Sequence, residues 1–444
     1  MADAQDVQHR VSGPLLAAIL VVAAGPSAPA SAEEPVWEAP VTLGVANPDE
    51  LVVVTDDAGN DTAAWFRDRT VDGLHFAEPV VAQRMADGDW TLPTVMGRAS
   101  HDPDISLATT PSGQVTAVWV NETLDSTGKP TEAQLQTAVF DQGQWSAPAT
   151  LWRGEVAKDP SIAVDPAGQA VVAWTRIGSR NAALAATRDA EGVWQAPRRL
   201  DDGSQRTVMA GQVGMAANGV AVVTYVDDAG VHAARWTGAS WSASRRLTRT
   251  RPAELAFQVS TDGRAAIAYT ASRTSPVRER MMDGAGAWSA AKVVDSRTGK
   301  VDDHGLSLAA CPKGGWGVAW GTGLHQLRLR EFDAVTWRKD RVIHRAVGTP
   351  RETHLIYHNN GDAMLIWNED LPAPFAAQIK ALTRSSWEWT PDAFPVSGNE
   401  TNLVHLRAVD NLDGHIVVAW DRVNSGPDQI QSAAAFWANG TVIN

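Results

Sequence analysis

Eight times along the chain an apolar run closes on an aromatic residue, and no other feature limits the fold as tightly. The runs end on Ala63-Ala64-Trp65, Ala117-Val118-Trp119, Val172-Ala173-Trp174, Val223-Thr224-Tyr225, Ile267-Ala268-Tyr269, Val318-Ala319-Trp320, Leu365-Ile366-Trp367 and Val418-Ala419-Trp420. A period near fifty residues is the mark of a repeat architecture. A second series opens another strand at Trp37, Trp90, Trp145, Trp194, Trp241, Trp288, Trp337 and Trp387. The two series take 14 of the 19 tryptophans, against only 8 Phe and 3 Tyr, so the tryptophan excess reads as a packing repeat and not as a ligand ladder.

Residues 159–200 show one unit most plainly. A short β-rich run (161–164) meets Asp165-Pro166-Ala167-Gly168, with Asp, Pro and Gly where a type I turn favours them. Residues 170–174 form an apolar run without polar alternation, which suits a strand covered on both faces. Residues 182–187 and 194–200 supply a third and a fourth strand. Four antiparallel strands in about fifty residues make a propeller blade. Similar Gly or Asn turns recur at residues 56–59, 110–113, 261–263, 359–361 and 411–414, where positive φ is needed.

The expected fold is therefore all-β, a β-propeller of four-stranded antiparallel blades. Eight blades is the direct count, with seven as the alternative if the short fifth or irregular first copy is incomplete. The repeat begins on a fourth-strand motif at residues 37–43 and ends on a third strand at residues 429–437. The N-terminal strand is thus expected to complete the last blade and join the chain ends.

Ahead of the repeat, an apolar run at residues 15–24 leads to Ala30-Ser31-Ala32. That is the form of a secretory signal, too short to span a bilayer, so residues 1–32 are expected to leave a secreted propeller of residues 33–444. The formal charge of -13 argues against a phosphate-backbone binder, so nucleic acid is not an expected partner. The single Cys311 excludes an intramolecular disulfide. No histidine pair has zinc spacing and no cofactor motif occurs. Acidic loop positions at Asp102, Asp104, Asp159, Asp302 and Asp303 read as loop caps ahead of calcium ligands.

Thr187-Arg188-Asp189-Ala190-Glu191-Gly192-Val193-Trp194 resembles the Asp-box of sialidase-like propellers, and looser versions stand at residues 141–145 and 283–288. The chain resembles the secreted repeat propellers of high-GC bacteria that carry that label. The resemblance would imply an Arg triad, a Tyr nucleophile paired with Glu and an Asp acid/base. No Arg-Ile-Pro signature is present, and Tyr225 and Tyr269 stand in the packing position of the second strand.

Fourth-to-first and second-to-third connections share one face of a propeller and are the variable ones here, so that face is expected to carry function. Its candidate ligand-binding residues are Arg67, Glu122, Arg176, Asp227, Glu369 and Arg422, just past the second-strand aromatics, with Trp152 in the connection after a fourth strand. No residue is assigned a catalytic role. The composition points to a monomeric, secreted, non-catalytic binding module for carbohydrate or cell-envelope ligands. A glycoside hydrolase or polysaccharide lyase using Glu122, Glu369 and Asp227 is the alternative, and a scaffold for a protein partner is a third reading.

Overall fold

The computed structural model describes residues 35–71, 74–86, 88–97, 104–125, 130–204, 207–295, 301–371, 377–385, 388–398, 400, 402–411, 414–423 and 428–436. The signal at residues 1–32, His101, Asp102, Trp387 and Trp437 lie outside these residues. Among the described residues every regular element is a β-strand, and no helix is long and apolar enough to cross a membrane.

Blade 3 is the plainest copy. Its strands Val156–Val164, Ala170–Ile177, Ala182–Arg188 and Arg198–Arg199 pair antiparallel in sequence order. The first hairpin turns on Gly168 at φ +82°, and Asp165 Oδ1 accepts the N–H groups of Ala167 (3.0 Å) and Gln169 (2.9 Å). Residues 170–175 are buried on both faces, because the blade is pressed between two others. That explains a run with no polar alternation.

Among the described residues eight separate hydrophobic clusters give the blade count independently of the strands. Each holds residues of two consecutive blades. Val118, Val120 and Leu135 of blade 2 meet Ile162, Val172 and Trp174 of blade 3. The eighth cluster joins Val417, Ala419 and Ile430 of the last blade to Leu51, Ala63 and Trp65 of the first. The ring is therefore closed. All eight second-strand aromatics are buried in these interfaces.

Closure is made as expected. The strand Val41–Thr55 pairs through its first half with Asp428–Phe436 of blade 8 and through its second half with Asp61–Val71 of blade 1. Val36–Trp37 also pairs with Asp428–Phe436. One continuous strand is thus the outer edge of the last blade and the inner edge of the first.

Three expectations need correction. The fourth strands are shorter than the Trp-led runs. Trp194, Trp241, Trp288 and Trp337 make isolated bridges to the third strand, and laddered pairing resumes only further on. In blade 3, Pro197 has no N–H to give. In blades 4 and 5 the hydroxyls of Ser242 and Ser289 accept the third-strand N–H groups of Arg235 (3.0 Å) and Met281 (3.1 Å), replacing a backbone acceptor. In blade 7 the repeat position belongs to Trp389, which pairs with Arg384 and is followed by Thr390, whose hydroxyl accepts the Thr383 N–H (3.3 Å). Trp152 is not in a long loop. It lies in the strand Ala149–Gly154, paired with Leu135, and the next strand starts at Val156.

Candidate functional site

The first strands contact one another in sequence around the whole ring, so they form its inner wall. Near the end of the fourth-to-first connection several of them bulge: between Lys158 and Ser161 in blade 3, Ala210 and Val213 in blade 4, Arg351 and His354 in blade 7, and Val404 and Arg407 in blade 8. At three of these bulges a residue with a side chain takes the left-handed backbone conformation: Asp159 (φ +51°), Glu352 (φ +47°) and His405 (φ +54°). Such a conformation costs about 1–3 kcal/mol at each position and persists only where the surroundings impose it.

At Asp159 and His405 it is held by a carboxylate reaching over from the preceding blade. Glu352 Oε1 and Oε2 accept the N–H groups of His405 (3.0 Å) and Leu406 (3.2 Å). Asp104 Oδ2 accepts the N–H of Asp159 (3.0 Å) in the same way. One layer deeper, serine hydroxyls repeat the motif, Ser161 accepting from Val213 (3.0 Å) and Ser307 from Leu355 (2.9 Å). The mouth is thus lined by polar groups on a stiff frame.

Within blade 8 this frame holds an ionisable pair. His405 Nδ1 lies 2.9 Å from Asp421 Oδ2, with the carboxylate fully buried and a third of the imidazole exposed. Burial pushes Asp421 up to about 6, only partly offset by the bond from His405. That bond raises His405 above the ordinary histidine range against the effect of burial. Asp421 Oδ1 is buried and has no hydrogen-bond partner among the described residues. The pair presents the far edge of an imidazole at the mouth while its carboxylate stays dry.

His354, beside the same bulge, is driven the other way. Burial, then the charge of Arg407, lowers it to about 4, while its Nε2–H is donated to the Leu406 carbonyl at 2.9 Å. A histidine whose folded pKa is depressed gives stability that is complete above its unfolded value and lost as pH falls through the folded one. The window here is pH 6.5 down to about 4, and its size is about 3 kcal/mol. In pH-dependent urea unfolding, His354→Gln should remove that part of the acid destabilisation. An unchanged pH profile would show that His354 is not held neutral.

The residues expected at the rim are placed at this same end of the strands, but they do different work. Glu369 is fully buried and takes hydrogen bonds from Val347 N (3.0 Å), Gly348 N (2.9 Å) and Trp367 Nε1 (3.1 Å), with Lys380 Nζ at 3.2 Å. Burial alone would raise it, yet these donors hold it below the usual carboxylate range. Asp227 Oδ1 accepts from Ala229 and Gly230, and its Oδ2 lies 3.0 Å from His232 Nε2, which caps its hairpin. Glu122 is buried in blade 2. The arginines are outside: Arg67 pairs with Glu78 (2.9 Å), Arg422 with Glu400 (2.8 Å), and Arg176 reaches the Arg180 carbonyl (3.2 Å). Trp152 is half-buried with its ring centre 6.1 Å from that of Trp174.

Tyr357 brings a surprise at the opposite end. Its hydroxyl donates to Glu331 Oε1 (2.8 Å), and Arg384 also binds that carboxylate. Both partners are buried, and burial followed by the Glu331 charge raises Tyr357 well above the ordinary tyrosine range. The phenol is held protonated as a blade-to-blade link.

Sequence reading reached Arg422, the neighbour of Asp421, but not Glu352 or His405, because a bulge leaves no local mark. The signal was periodic. Asp104, Asp159, Glu352 and His405 each stand fifteen positions before the second-strand aromatics Trp119, Trp174, Trp367 and Trp420, and Glu50 and Glu254 hold the same place before Trp65 and Tyr269. Among the described residues no group of three or more His, Cys, Asp or Glu side chains could hold a metal ion.

No protein-family model matches the chain, and no curated protein matches it. Among solved structures it is similar to an ulvan lyase of a new polysaccharide lyase family, at 12% identity over 89% of this chain and 95% of that one, TM-score 0.48. It is also similar to the β-propeller domain of the trilobed protease of Pyrococcus furiosus, at 8% identity over 82% and 99%, TM-score 0.43. A third is the six-bladed fucose-recognising lectin of Aleuria aurantia, at 14% identity over 68% and 97%, TM-score 0.38. At these identities the likeness is one of overall fold, and no residue role passes from them to this chain.

Proposed function

We propose that this protein is a secreted, non-catalytic propeller that binds hydroxyl-rich ligands, carbohydrate or cell-envelope glycan, at the mouth of its ring. The observation that carries the reading is the set of left-handed, side-chain-bearing bulges at Asp159, Glu352 and His405 on the inner wall. Strain of this kind concentrates where a surface is shaped for a ligand. Carboxylate oxygens and an imidazole edge are acceptors and donors for hydroxyl groups. The half-exposed Arg67 and Arg422 extend the same lining outward.

The distribution of carboxylates favours binding over hydrolysis. A glycosidase needs two carboxyl groups facing one another about 5–10 Å apart. Here Glu122, Asp227 and Glu369 stand on three different blades, and Asp227 and Glu369 are each occupied by nearby donors. The Asp189 and Asp283 turns, each with the carboxylate accepting a backbone N–H (2.7 and 2.8 Å), act in this reading as Asp-box-like staples of the blades. Residues 1–32 serve as the export signal.

The test is a polysaccharide and glycan binding screen on residues 33–444, repeated with Asp159→Asn and His405→Asn. Asparagine tolerates the left-handed backbone, so these changes remove function without unfolding the bulge. Each lost hydrogen bond is worth about 1 kcal/mol, so the double variant should bind about tenfold or more weakly. Unchanged binding would place the ligand elsewhere, and release of reducing ends from any hit would install the enzyme.

A further inference from the structure

A cavity of about 660 Å³ opens on the outer wall where blade 8 meets blade 1, at the other end of the strands from the mouth. It lies within the range of small-molecule sites, roughly 300–1,000 Å³. Its walls come from the N-terminal closing strand and from the third-to-fourth-strand turn of blade 1. Glu38, Thr42, Arg84, Asp89, Trp90 and Leu92 supply its chemistry.

The polar side is built in and not accidental. Arg84 is buried, bonded to Asp61 Oδ2 through Nε (2.9 Å) and Nη2 (2.6 Å) and to Glu38 Oε2 through Nη1 (2.6 Å), and its guanidinium sits 5.7 Å from the centre of the Trp90 ring. Those bonds fix Glu38 and Trp90 in place. Asp89 is exposed beside them. The apolar side is unusual for an outer wall. Leu92 is 89% exposed and Val41 47%, and Val45, Met85 and Val95 are exposed on the same two segments. Half of the ten exposed large hydrophobic side chains among the described residues thus fall on residues 41–45 and 85–95. Scattered single ones need no explanation, but a concentration beside a cavity does.

The repeat itself marks this copy as different. Two positions after the fourth-strand tryptophan the chain has alanine at Ala39, Ala147, Ala196, Ala243 and Ala290; the three departures are Leu92 in blade 1, Lys339 in blade 6 and Pro391 in blade 7, and Leu92 alone is a large aliphatic side chain. A leucine almost wholly in water gives the fold nothing, so packing does not account for it.

We propose that this cleft is a second binding site, for a pyranose unit of a glycan. A bare ion would not need Leu92 and Val41, and an acyl chain would not need Glu38, Thr42 and Asp89. A sugar ring has one apolar face for the Trp90–Leu92 wall and a rim of hydroxyls for the carboxylates. The ligand class rests on the carbohydrate reading above, but none of the residues do. Two sites at opposite ends of the ring would let one chain bridge or grip a polysaccharide at two points, with avidity neither site gives alone.

The experiment is isothermal titration of the mature protein with three soluble probes, the hexamers of β-1,4-glucose, β-1,4-N-acetylglucosamine and α-1,4-galacturonate. The variants are Leu92→Asp with Asp89→Asn at the cleft, and Asp159→Asn with His405→Asn at the mouth. Leu92 and Asp89 are exposed, so their replacement leaves the fold intact, and Trp90 is spared because it also packs between blades 8 and 1. Two sites per chain falling to one in either variant, and to none in the combination, is the expected result. Binding lost in the mouth variant alone overturns this proposal and leaves the mouth standing. Binding lost in the cleft variant alone does the reverse. No binding of any probe to the unaltered protein overturns both.

Discussion

A chain that begins at Asn47 is expected not to fold to a monomer. The deleted segment supplies the outer strand of blade 8, in register with residues 428–432. Its loss exposes the backbone edge of Asp428–Phe436 and removes the strand pairing that ties the two ends of the chain together. It also removes Leu43 from the cluster between blades 8 and 1, breaks the Trp65 Nε1–Val45 carbonyl bond (3.3 Å) and frees Arg84 from Glu38. A buried leucine is worth about 2–3 kcal/mol, and several lost hydrogen bonds add about 1 kcal/mol each. Together these approach the whole stability of an ordinary domain, about 5–15 kcal/mol. Bare strand edges pair with one another. Gel filtration should therefore show soluble oligomers or nothing soluble, and a synthetic peptide of residues 33–46 added during refolding should restore the monomer. A truncated monomer with the melting temperature of the full protein would mean that closure lies elsewhere.

The blade count and the closure were legible because both depend on packing that recurs. Each second strand must bury both faces, so it is written as an unbroken apolar run, and each interface needs a large filler at one height. Trp65, Trp119, Trp174 and their counterparts answer that need eight times. The start of the repeat on a fourth-strand motif and its end on a third then left only one way to finish the ring.

Less was legible at the outer strands and at the mouth. Trp387 and Trp389 are two apart, so both would face the same side of a strand, and only pairing with Arg384 and the Thr390 hydroxyl selects Trp389. Trp152 looked like loop because the strand containing it is followed by a turn of one residue, Glu155, which leaves no polar gap to read. At the mouth, Glu122, Asp227 and Glu369 lie at one end of the strands, yet a sequence cannot tell a carboxylate turned toward solvent from one turned onto its own loop. The carboxylates at the fifteen-residue offset were visible as a period. What they meant depended on bulges that each put one extra residue in the first strand, and these are held by contacts with a different blade.

Trp174→Ala should be the most damaging single substitution in blade 3. The ring is wholly buried between blades 2 and 3, touching the cluster that holds Val118, Leu135, Ile162 and Val172. Truncating a buried tryptophan costs about 3–5 kcal/mol, since the lost transfer energy is joined by a cavity too large for the strands to close. Trp152 lies over that ring as an outer lid, half-buried, and Gly154 leaves room for it: a Cβ there would come within 2.1 Å of Cζ2 of the Trp152 ring. Trp152→Ala should therefore cost less, about 1–2 kcal/mol, with part of its effect passed through Trp174. Urea unfolding of the two single variants and the double variant decides the point. If the double costs less than the sum of the singles, Trp152 acts by sealing Trp174, and its place in the chain is explained by packing. If Trp152→Ala leaves stability unchanged and instead weakens glycan binding, the lid belongs to the ligand and the binding surface extends from the mouth down the outer wall of blade 2.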